Sequence, residues 1–274
     1  MSSITNVNIN MTHSKYILVW FLCLLGIISL QTVHADTLAK VFSEGVLRIG
    51  VSVYEPWVMK DKDGQLYGYE IQVAEQLAND LGVKAEFHAV EWGDLISALS
   101  ENKIDIIISG MAITPQRALQ VNFSQPYGHF GIDLAANIEN TKDISALEGL
   151  NSPEITIGVV EGSVSEKIAK KVFDKASTKL FKNIEEVNQE ILDGEIDVLL
   201  EGSPAPKFLA LQHPDKVDAP LSKPLLNYKT GMAVNKGEQE FLNYLNAWIT
   251  ARDAEDWLPS KHKYWFDSLE WKSD

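Results

Sequence analysis

The residues with the clearest chemical potential lie in the segment Ser109 to Arg117, which reads Ser-Gly-Met-Ala-Ile-Thr-Pro-Gln-Arg. Thr114 followed by Pro115 is typical of a helix start, with Thr as the N-cap and Pro at the first helical position. Arg117 then lies in the first turn, beside free backbone N–H groups. Such a guanidinium can bind a carboxylate, because arginine forms two parallel hydrogen bonds and the helix end favours negative charge. The alternative is an Arg on a solvated face or paired with a structural acid.

A second candidate segment runs from Glu161 to Glu166 and reads Glu-Gly-Ser-Val-Ser-Glu. Ser163 and Glu166 have the spacing of a capping box, so Ser163 could serve only as a helix cap. A glycine and a serine at a helix start also present backbone N–H groups to whatever lies in front of the helix. The two roles are compatible, because the cap uses the Ser163 side chain and a ligand would use the amides of Gly162 and Ser163.

Other kinds of chemistry have little support in the sequence. It contains no G-x-S-x-G, no H-E-x-x-H and no Gly-rich phosphate loop. Cys23 is the only cysteine and lies in the N-terminal apolar stretch, so we expect a mature chain without disulfides or Cys-ligated metals. The histidines are scattered singly. We therefore expect no catalytic residue, no metal and no cofactor.

Two similar stretches indicate how the candidate segments are positioned. Residues 95–110 and 187–202 each predict a helix, a tight turn and a buried strand, and each follows an Ile-Gly-Val sequence that indicates an earlier strand. Such units recur in any parallel sheet, but the length of this match favours two similar lobes. Clefts between lobes are common places for small ligands.

The fold class predicted from these patterns is α/β, with two lobes joined by two crossing strands. The first unit is predicted to have strands at 47–53, 84–90 and 104–109 and helices at 70–81 and 93–100. The second is predicted to have strands from 155, at 179–181 and at 196–200 and helices at 163–173 and 184–193. Segments 131–137 and 227–235 are the predicted crossings. We expect residues 36–133 to form lobe 1, 134–231 lobe 2, and 232–274 C-terminal helices that return to lobe 1.

The first 35 residues are typical of a signal peptide, with Lys15, an apolar run from Tyr16 to Leu30, and Val33-His34-Ala35 as the cleavage site. Cleavage after Ala35 would leave a soluble periplasmic chain. Loss of Lys15 would change the formal net charge from −14 to −15. Nucleic acid and anionic lipid surfaces are then poor partners, because both need a basic face.

A series of motifs runs through the mature chain: Leu47-Arg-Ile-Gly-Val51, Tyr54-Glu-Pro-Trp57, Asp63-Gly64, Gly68-Tyr-Glu70, Val90-Glu-Trp92, Ile104-Asp-Ile106, Gly110-Met-Ala-Ile-Thr-Pro-Gln-Arg117 and Val121-Asn-Phe-Ser-Gln-Pro-Tyr127. In this order they resemble the family 3 solute-binding proteins, which are periplasmic polar amino-acid receptors of ABC importers. The resemblance implies a periplasmic-binding-protein (Venus-flytrap) fold that closes on one L-amino acid. It also implies a monomer that delivers this ligand to an inner-membrane ABC permease.

The resemblance also implies roles for individual residues. Arg117 would hold the α-carboxylate, the backbone of Gly110 and Ala112 would contact the ligand, and Tyr54 and Trp92 would pack on its side chain. The amides of Gly162 and Ser163 would close over the carboxylate from lobe 2. The expected ligand-binding residues are Tyr54, Trp92, Ser109, Gly110, Ala112, Arg117, Glu161, Gly162, Ser163 and Glu201.

Two departures from the family pattern affect the residues that would bind the ammonium group of the ligand. Ala112 stands where many members carry Ser or Thr, and Gly202 stands where they carry an Asp. Glu201 is adjacent, but in a regular strand its side chain would point to the opposite face. Either Glu161 or Glu201 replaces the missing group, or the ligand is not a standard α-amino acid.

An enzyme is the main alternative, because the same fold resembles the periplasmic cyclohexadienyl dehydratases. Those enzymes carry an added glutamate in the second lobe, and this chain has Ala205 at the corresponding loop position. We therefore expect a binding protein rather than an enzyme. A sensory role, the third class, would require a partner protein.

Overall fold

Alternating strands and helices build two sheets, and each sheet collects strands from separate parts of the chain. The computed structural model describes residues 36–268 and residue 271. The predicted signal peptide and its cleavage site lie outside these residues. None of the helices in the described part has the length and apolar character needed to cross a membrane.

The helices are α1 (Thr37–Glu44), α2 (Tyr69–Leu81), α3 (Leu95–Ser100), α4 (Pro115–Ala118), α5 (Val164–Val172), α6 (Ile184–Asp193), α7 (Ala205–Gln212), α8 (Gln239–Ala254) and α9 (Trp257–His262). The strands are β1 (Val46–Val51), β2 (Met59–Lys60), β3 (Leu66–Tyr67), β4 (Lys84–Ala89), β5 (Ile106–Ile107), β6 (Asn122–Phe123), β7 (Gly128–Asn137), β8 (Thr156–Val160), β9 (Ser177–Phe181), β10 (Val198–Gly202), β11 (Val217–Asp218), β12 (Leu226–Thr230) and β13 (Ala233–Val234).

The first sheet has the order β4-β1-β5-β13-β6, with β1 parallel to β4 and β5. Helix α2 covers it, because Ile71, Ala74 and Leu77 recur at helical spacing and are buried. Gly82 ends this helix in the left-handed conformation, as predicted, and its N–H donates to the last turn. Strand β5, which comes just before Ser109, is therefore held in place within this lobe.

The second sheet has the order β11-β7-β10-β8-β9, and β12 also pairs with β7. Strand β10 is parallel to β8 and antiparallel to β7. The segment 131–137, predicted as a crossing, lies inside β7, which belongs to the second sheet from Gly128 onward. It is buried there because β10, β11 and β12 all pair with β7. The α/β class and the two-lobed architecture are confirmed.

Two adjacent chain segments connect the sheets. The N–H of Tyr127 donates to the carbonyl of Thr230 at 3.1 Å, and the N–H of Ser124 donates to that of Met232 at 2.9 Å. Strand β12, which ends at Thr230, belongs to the second sheet, and β13, which begins at Ala233, belongs to the first. The chain thus returns to lobe 1 near residue 232, and the C-terminal helices pack there. Trp248 in α8 donates to Asp80 at the end of α2 at 2.6 Å, which holds α8 against lobe 1.

Glu70, in the first turn of α2, is a fully buried acid directly behind Gly110. Tyr127 donates to its Oε2 at 2.7 Å. Burial raises the pKa of Glu70 to about 8, against the lowering effect of hydrogen bonds from Tyr127 and the Gly110 backbone. The carboxyl is therefore largely protonated at neutral pH and supports the chain segment that leads to Arg117.

We expect the free energy of unfolding to fall less with rising pH in Glu70→Gln than in the wild type. A carboxyl whose folded-state pKa is raised stabilises fully below its ordinary pKa of 4.5, and this contribution is lost as pH rises through about 8. Thermal unfolding between pH 5 and 9 should show a steeper decline of Tm for the wild type than for the variant. Glu75→Gln, an exposed change in the same helix, is the control and should follow the wild type. Equal declines in all three proteins would contradict this role of Glu70.

Candidate ligand-binding site

A partly open cavity of about 60 Å³ lies between the two lobes. Its walls come from the carboxyl ends of parallel strands and the helix starts that follow them, which is where open α/β sheets bind ligands. The wall residues are Ser52, Val53, Tyr54, Trp57, Trp92, Ser109, Gly110, Arg117, Phe130, Val160, Ser163, Val164, Asn183, Ile184, Glu201 and Gly202.

Arg117 is the cationic group of this cavity, and its side chain is held on three sides. Thr114 caps α4 by accepting the N–H of Arg117 at 3.2 Å, as the sequence predicts. The guanidinium donates to the carbonyl of Ala112 at 3.0 Å and, across the cleft, to that of Gly162 at 3.1 Å. It also lies over the Trp92 ring, 5.3 Å from its centroid.

Arg117 is positively charged at neutral pH and has N–H groups available to a ligand. It is only 5% exposed, and burial lowers its pKa to about 10, partly offset by Tyr228 and Glu201. It is therefore cationic at neutral pH. A guanidinium has five N–H donors, and the two contacts to carbonyl oxygens leave the others for a ligand. The arrangement suits a carboxylate that enters the cavity beside Trp92.

Glu201 supplies the acidic group of the cavity wall, so of the two glutamates that the sequence offered as the ammonium partner it is the one at the cleft. It precedes the last residue of β10, whose pairing with β7 continues through Gly202. Its Oε1 accepts the N–H of Gly202 at 2.7 Å and the hydroxyl of Ser165 at 3.3 Å. Burial raises the pKa of Glu201 to about 7, against the lowering effects of those two hydrogen bonds and of Arg117.

An aspartate at Gly202, which relatives were expected to carry there, would require its neighbours to shift by a few tenths of an ångström. A Cβ atom at this position would lie 3.1 Å from the Phe130 ring and 3.2 Å from the Tyr54 hydroxyl. Tyr54 donates this hydroxyl to the carbonyl of Gly202, which links the two lobes. Gly202 therefore contributes its carbonyl to Tyr54, and Glu201 is the acid beside it in the wall.

The amides of Gly162 and Ser163 in lobe 2 were expected to be free for a ligand, but both already donate hydrogen bonds within the protein. The N–H of Gly162 donates to the Glu166 carboxylate at 2.7 Å, and the N–H of Ser163 donates to Val160 at 3.2 Å. The Ser163 side chain caps α5, as predicted, by accepting from Glu166 at 3.1 Å. Because Glu166 accepts the Gly162 amide, Gly162 presents only its carbonyl to Arg117.

The remaining predicted residues divide into those in the cavity wall and those outside it. Ser109 and Gly110 line the wall, although the Ser109 hydroxyl accepts the N–H of Ser52 at 2.9 Å. Ala112 is buried against the apolar core of lobe 2 and contributes only its carbonyl to Arg117. Glu161 is exposed and outside the wall, because it lies beyond the end of β8 and faces solvent.

Several wall residues were missed from the sequence. Phe130 comes from β7, Val160 is the last residue of β8, and Asn183 follows the end of β9. Asn183 is also the N-cap of α6. The rule that ligands meet the carboxyl ends of parallel strands could have identified Val160 and Asn183, but nothing in the local sequence marks Phe130. Among the described residues, no group of three or more His, Cys, Asp or Glu side chains is placed to hold a metal ion.

We expect Trp92 to report ligand binding, because a carboxylate at Arg117 would change the charge above its ring. Binding should alter tryptophan fluorescence in the wild type, and Trp92→Phe should lose most of that change. Trp248→Phe, a substitution in the lobe 1 core, should retain it. A full ligand-induced change in the Trp92→Phe variant would exclude Trp92 from the site.

The chain is similar to proteins of known function along most of its length. It is 26% identical over 230 residues to the L-cystine-binding protein TcyJ of Escherichia coli (84% of this chain, 85% of that protein). It is 24% identical to the cyclohexadienyl dehydratase of Pseudomonas aeruginosa (90% and 91% covered). The structure of a putative ABC transporter binding component from Wolinella succinogenes, complexed with lysine, matches with a TM-score of 0.77 and 32% identity (84% and 99% covered).

The family model for bacterial extracellular solute-binding proteins, family 3, matches residues 47–268. This span contains both lobes, the two connections and every wall residue of the cavity. The protein belongs to family 3 of the bacterial extracellular solute-binding proteins.

Proposed function

We propose that this protein captures an amino acid in the cavity between its lobes and delivers it to an inner-membrane ABC permease. The observation that carries the proposal is the pair of opposite charges in one cavity. Arg117 enters from lobe 1 and Glu201 from lobe 2. An amino acid carries a carboxylate and an ammonium a few ångströms apart, so one molecule can contact both residues.

This arrangement links binding to closure. A ligand held by Arg117 alone would leave its ammonium without a partner, and an unpaired buried charge is costly. Both contacts form only when the lobes are together. The ligand therefore binds the closed state better than the open one, which is the condition for a ligand to drive closure. A permease could then distinguish the loaded protein by its shape.

Transport through the periplasm is supported by the N-terminal segment and by the relatives. The first 35 residues have the pattern of an export signal, and the family is extracellular. The similar proteins include one that binds L-cystine and one whose structure holds lysine. We propose a mature chain from Asp36 that acts as a monomer in the periplasm.

Calorimetric titration of the purified protein with the L-amino acids tests this function. We expect at least one to bind with a single site per chain and to raise the Tm, because a ligand that binds only the folded state stabilises it by about 2.7 kcal/mol at ~100-fold excess over Kd. The matching deaminated acids should bind more weakly, since they lack a group for Glu201. Absence of binding by every amino acid would refute the proposal.

A dehydratase activity is the second candidate, and the raised pKa of Glu201 favours it. A carboxyl with a pKa of about 7 in the wall of the interlobe cavity can serve as a general acid, for example to protonate a departing hydroxyl. The similarity to a cyclohexadienyl dehydratase gives the reaction class. With a carboxylated cyclohexadienol, the ring carboxylate would leave as CO₂, its bonding electrons would enter the ring, and the hydroxyl would leave as water with the Glu201 proton. The aromatic product should absorb in the near ultraviolet. No product above the uncatalysed rate would leave binding as the function.

A further inference from the structure

The start of α5 contacts both charged groups of the cavity. Gly162, just before the helix, accepts a hydrogen bond from Arg117 through its carbonyl at 3.1 Å. Ser165, in the first turn, donates its hydroxyl to Oε1 of Glu201 at 3.3 Å. Ser165 is fully buried and lies outside the cavity wall, so it acts on a ligand through Glu201.

Two hydrogen bonds to the Glu201 carboxylate go to the same oxygen. Oε1 accepts the N–H of Gly202 at 2.7 Å as well as the hydroxyl of Ser165. The first donor is the next residue of β10, whereas the second is 36 residues away in the chain and belongs to α5. Ser165 therefore ties the carboxylate to a second element of lobe 2, and both bonds leave Oε2 for a ligand in the cavity.

The contact with Ser165 also favours the charged form of Glu201. Burial raises the pKa of Glu201 to about 7, and the Gly202 N–H, the Ser165 hydroxyl and Arg117 act in the opposite direction. A hydroxyl bonds more strongly to a carboxylate than to a neutral carboxyl group. The start of a helix favours negative charge in the same way.

Other ionisable groups surround Glu201 and are independent of this contact. Arg117 reaches the cavity from α4, and Tyr54 lines the same wall from lobe 1. Asp133 stands opposite Glu201 on β7 and is paired with Lys207 of α7 at 3.3 Å. A substitution of the serine leaves all of these groups in the protein, so its effect isolates the hydroxyl.

We propose that Ser165 is a positioning residue, which holds one oxygen of the ionised Glu201 carboxylate so that the other oxygen meets the ammonium of the ligand. This proposal rests on the proposed function and adds to it a residue behind the cavity wall. Selection for a ligand with an ammonium group then depends on Ser165, although Ser165 does not touch the ligand.

NMR titration of the Glu201 carboxyl carbon in the ligand-free protein tests the contact, with Glu201→Gln to assign the signal. We expect Ser165→Ala to raise the titration midpoint by about half to one pH unit, which corresponds to one ordinary hydrogen bond. Ile168→Val is the control for a packing defect, since Ile168 is buried in the same helix, and should keep the wild-type midpoint. An unchanged midpoint in Ser165→Ala overturns the proposal.

Calorimetry at pH 9, where Glu201 is mostly ionised, measures the orientation of the carboxylate. Among the L-amino acids, the one that binds the wild type most tightly should bind Ser165→Ala at least threefold more weakly, with less than a twofold change for its deaminated acid. In a Glu201→Gln background the serine substitution should change amino-acid affinity less than twofold, because no carboxylate remains to be oriented. Equal weakening of the amino acid and the deaminated acid would show a general structural effect and overturn the proposal.

Ser165→Cys keeps the test decisive should Ser165→Ala fail to fold, because a thiol is close in size to the hydroxyl but is a weak donor. It should raise the Glu201 midpoint in the same direction, and an unchanged midpoint would again overturn the proposal. Failure of every amino acid to bind would instead refute the proposed function. The NMR midpoints would still decide whether Ser165 acts on Glu201.

Discussion

Arg117→Ala is expected to remove measurable amino-acid binding while the protein stays folded. The change leaves the ligand carboxylate buried without a partner, and truncation of one member of such a pair typically costs about 2–5 kcal/mol. At room temperature this corresponds to a loss of affinity between ~30-fold and several thousand-fold. Calorimetry gives the affinity, and circular dichroism with thermal unfolding shows whether the fold is kept.

Two further variants separate the carboxylate contact from general effects of charge. Arg117→Lys keeps the charge but loses the bidentate geometry, so its affinity should fall between those of the wild type and the alanine variant. Arg252→Ala removes an arginine of α8 that pairs with Asp80 and Glu255, away from the cavity, and should bind as the wild type does. Unchanged binding by Arg117→Ala would show that the carboxylate lies elsewhere.

Glu201→Gln is expected to lower amino-acid affinity at least tenfold at pH 8 and to remove the pH dependence of binding. In the free protein the pKa of Glu201 is about 7, and an ammonium beside it favours the ionised form. Below that pH, binding must expel the Glu201 proton, so wild-type affinity should decline by up to about tenfold per pH unit. Above pH 8 the affinity should level off. Titrations from pH 5 to 9 measure this profile.

The deaminated acids and a second glutamate provide the controls for this result. A keto acid has no ammonium, so its affinity should not fall on Glu201→Gln. Glu161→Gln changes the other acid that the sequence offered as the ammonium partner, and because Glu161 is exposed outside the cavity wall it should have no effect. A pH profile that is the same in the wild type and in Glu201→Gln would exclude Glu201 as the partner.

The parts of the site that could be predicted are those fixed by local sequence. Thr114-Pro115 determines where α4 begins, and the start of the helix determines where Arg117 projects. Gly82 ends α2 for an equally local reason, since the left-handed conformation there suits glycine. The two lobes followed from similar helix-turn-strand patterns, because these depend on hydrophobic spacing within each segment.

The parts that failed depend on contacts between distant residues. The choice between Glu161 and Glu201 as the ammonium partner was left open by the sequence, and only the folded chain places Glu201 in the cavity wall and Glu161 in solvent. The amides of Gly162 and Ser163 were expected to be free, but Glu166 and Val160 take them. Phe130 joins the wall only because β7 passes beside β10. Such competition among partners is decided in three dimensions, so spacing along the chain does not reveal it.

The central claim is that one ligand bridges Arg117 and Glu201 across the two lobes. A crystal structure of the protein with its tightest-binding amino acid tests it most directly. We expect the ligand carboxylate at about 2.7–2.9 Å from the Arg117 guanidinium and the ammonium at a similar distance from the Glu201 carboxylate. A bound amino acid whose carboxylate lies away from Arg117, or whose ammonium contacts only backbone carbonyls or Glu161, would contradict the account.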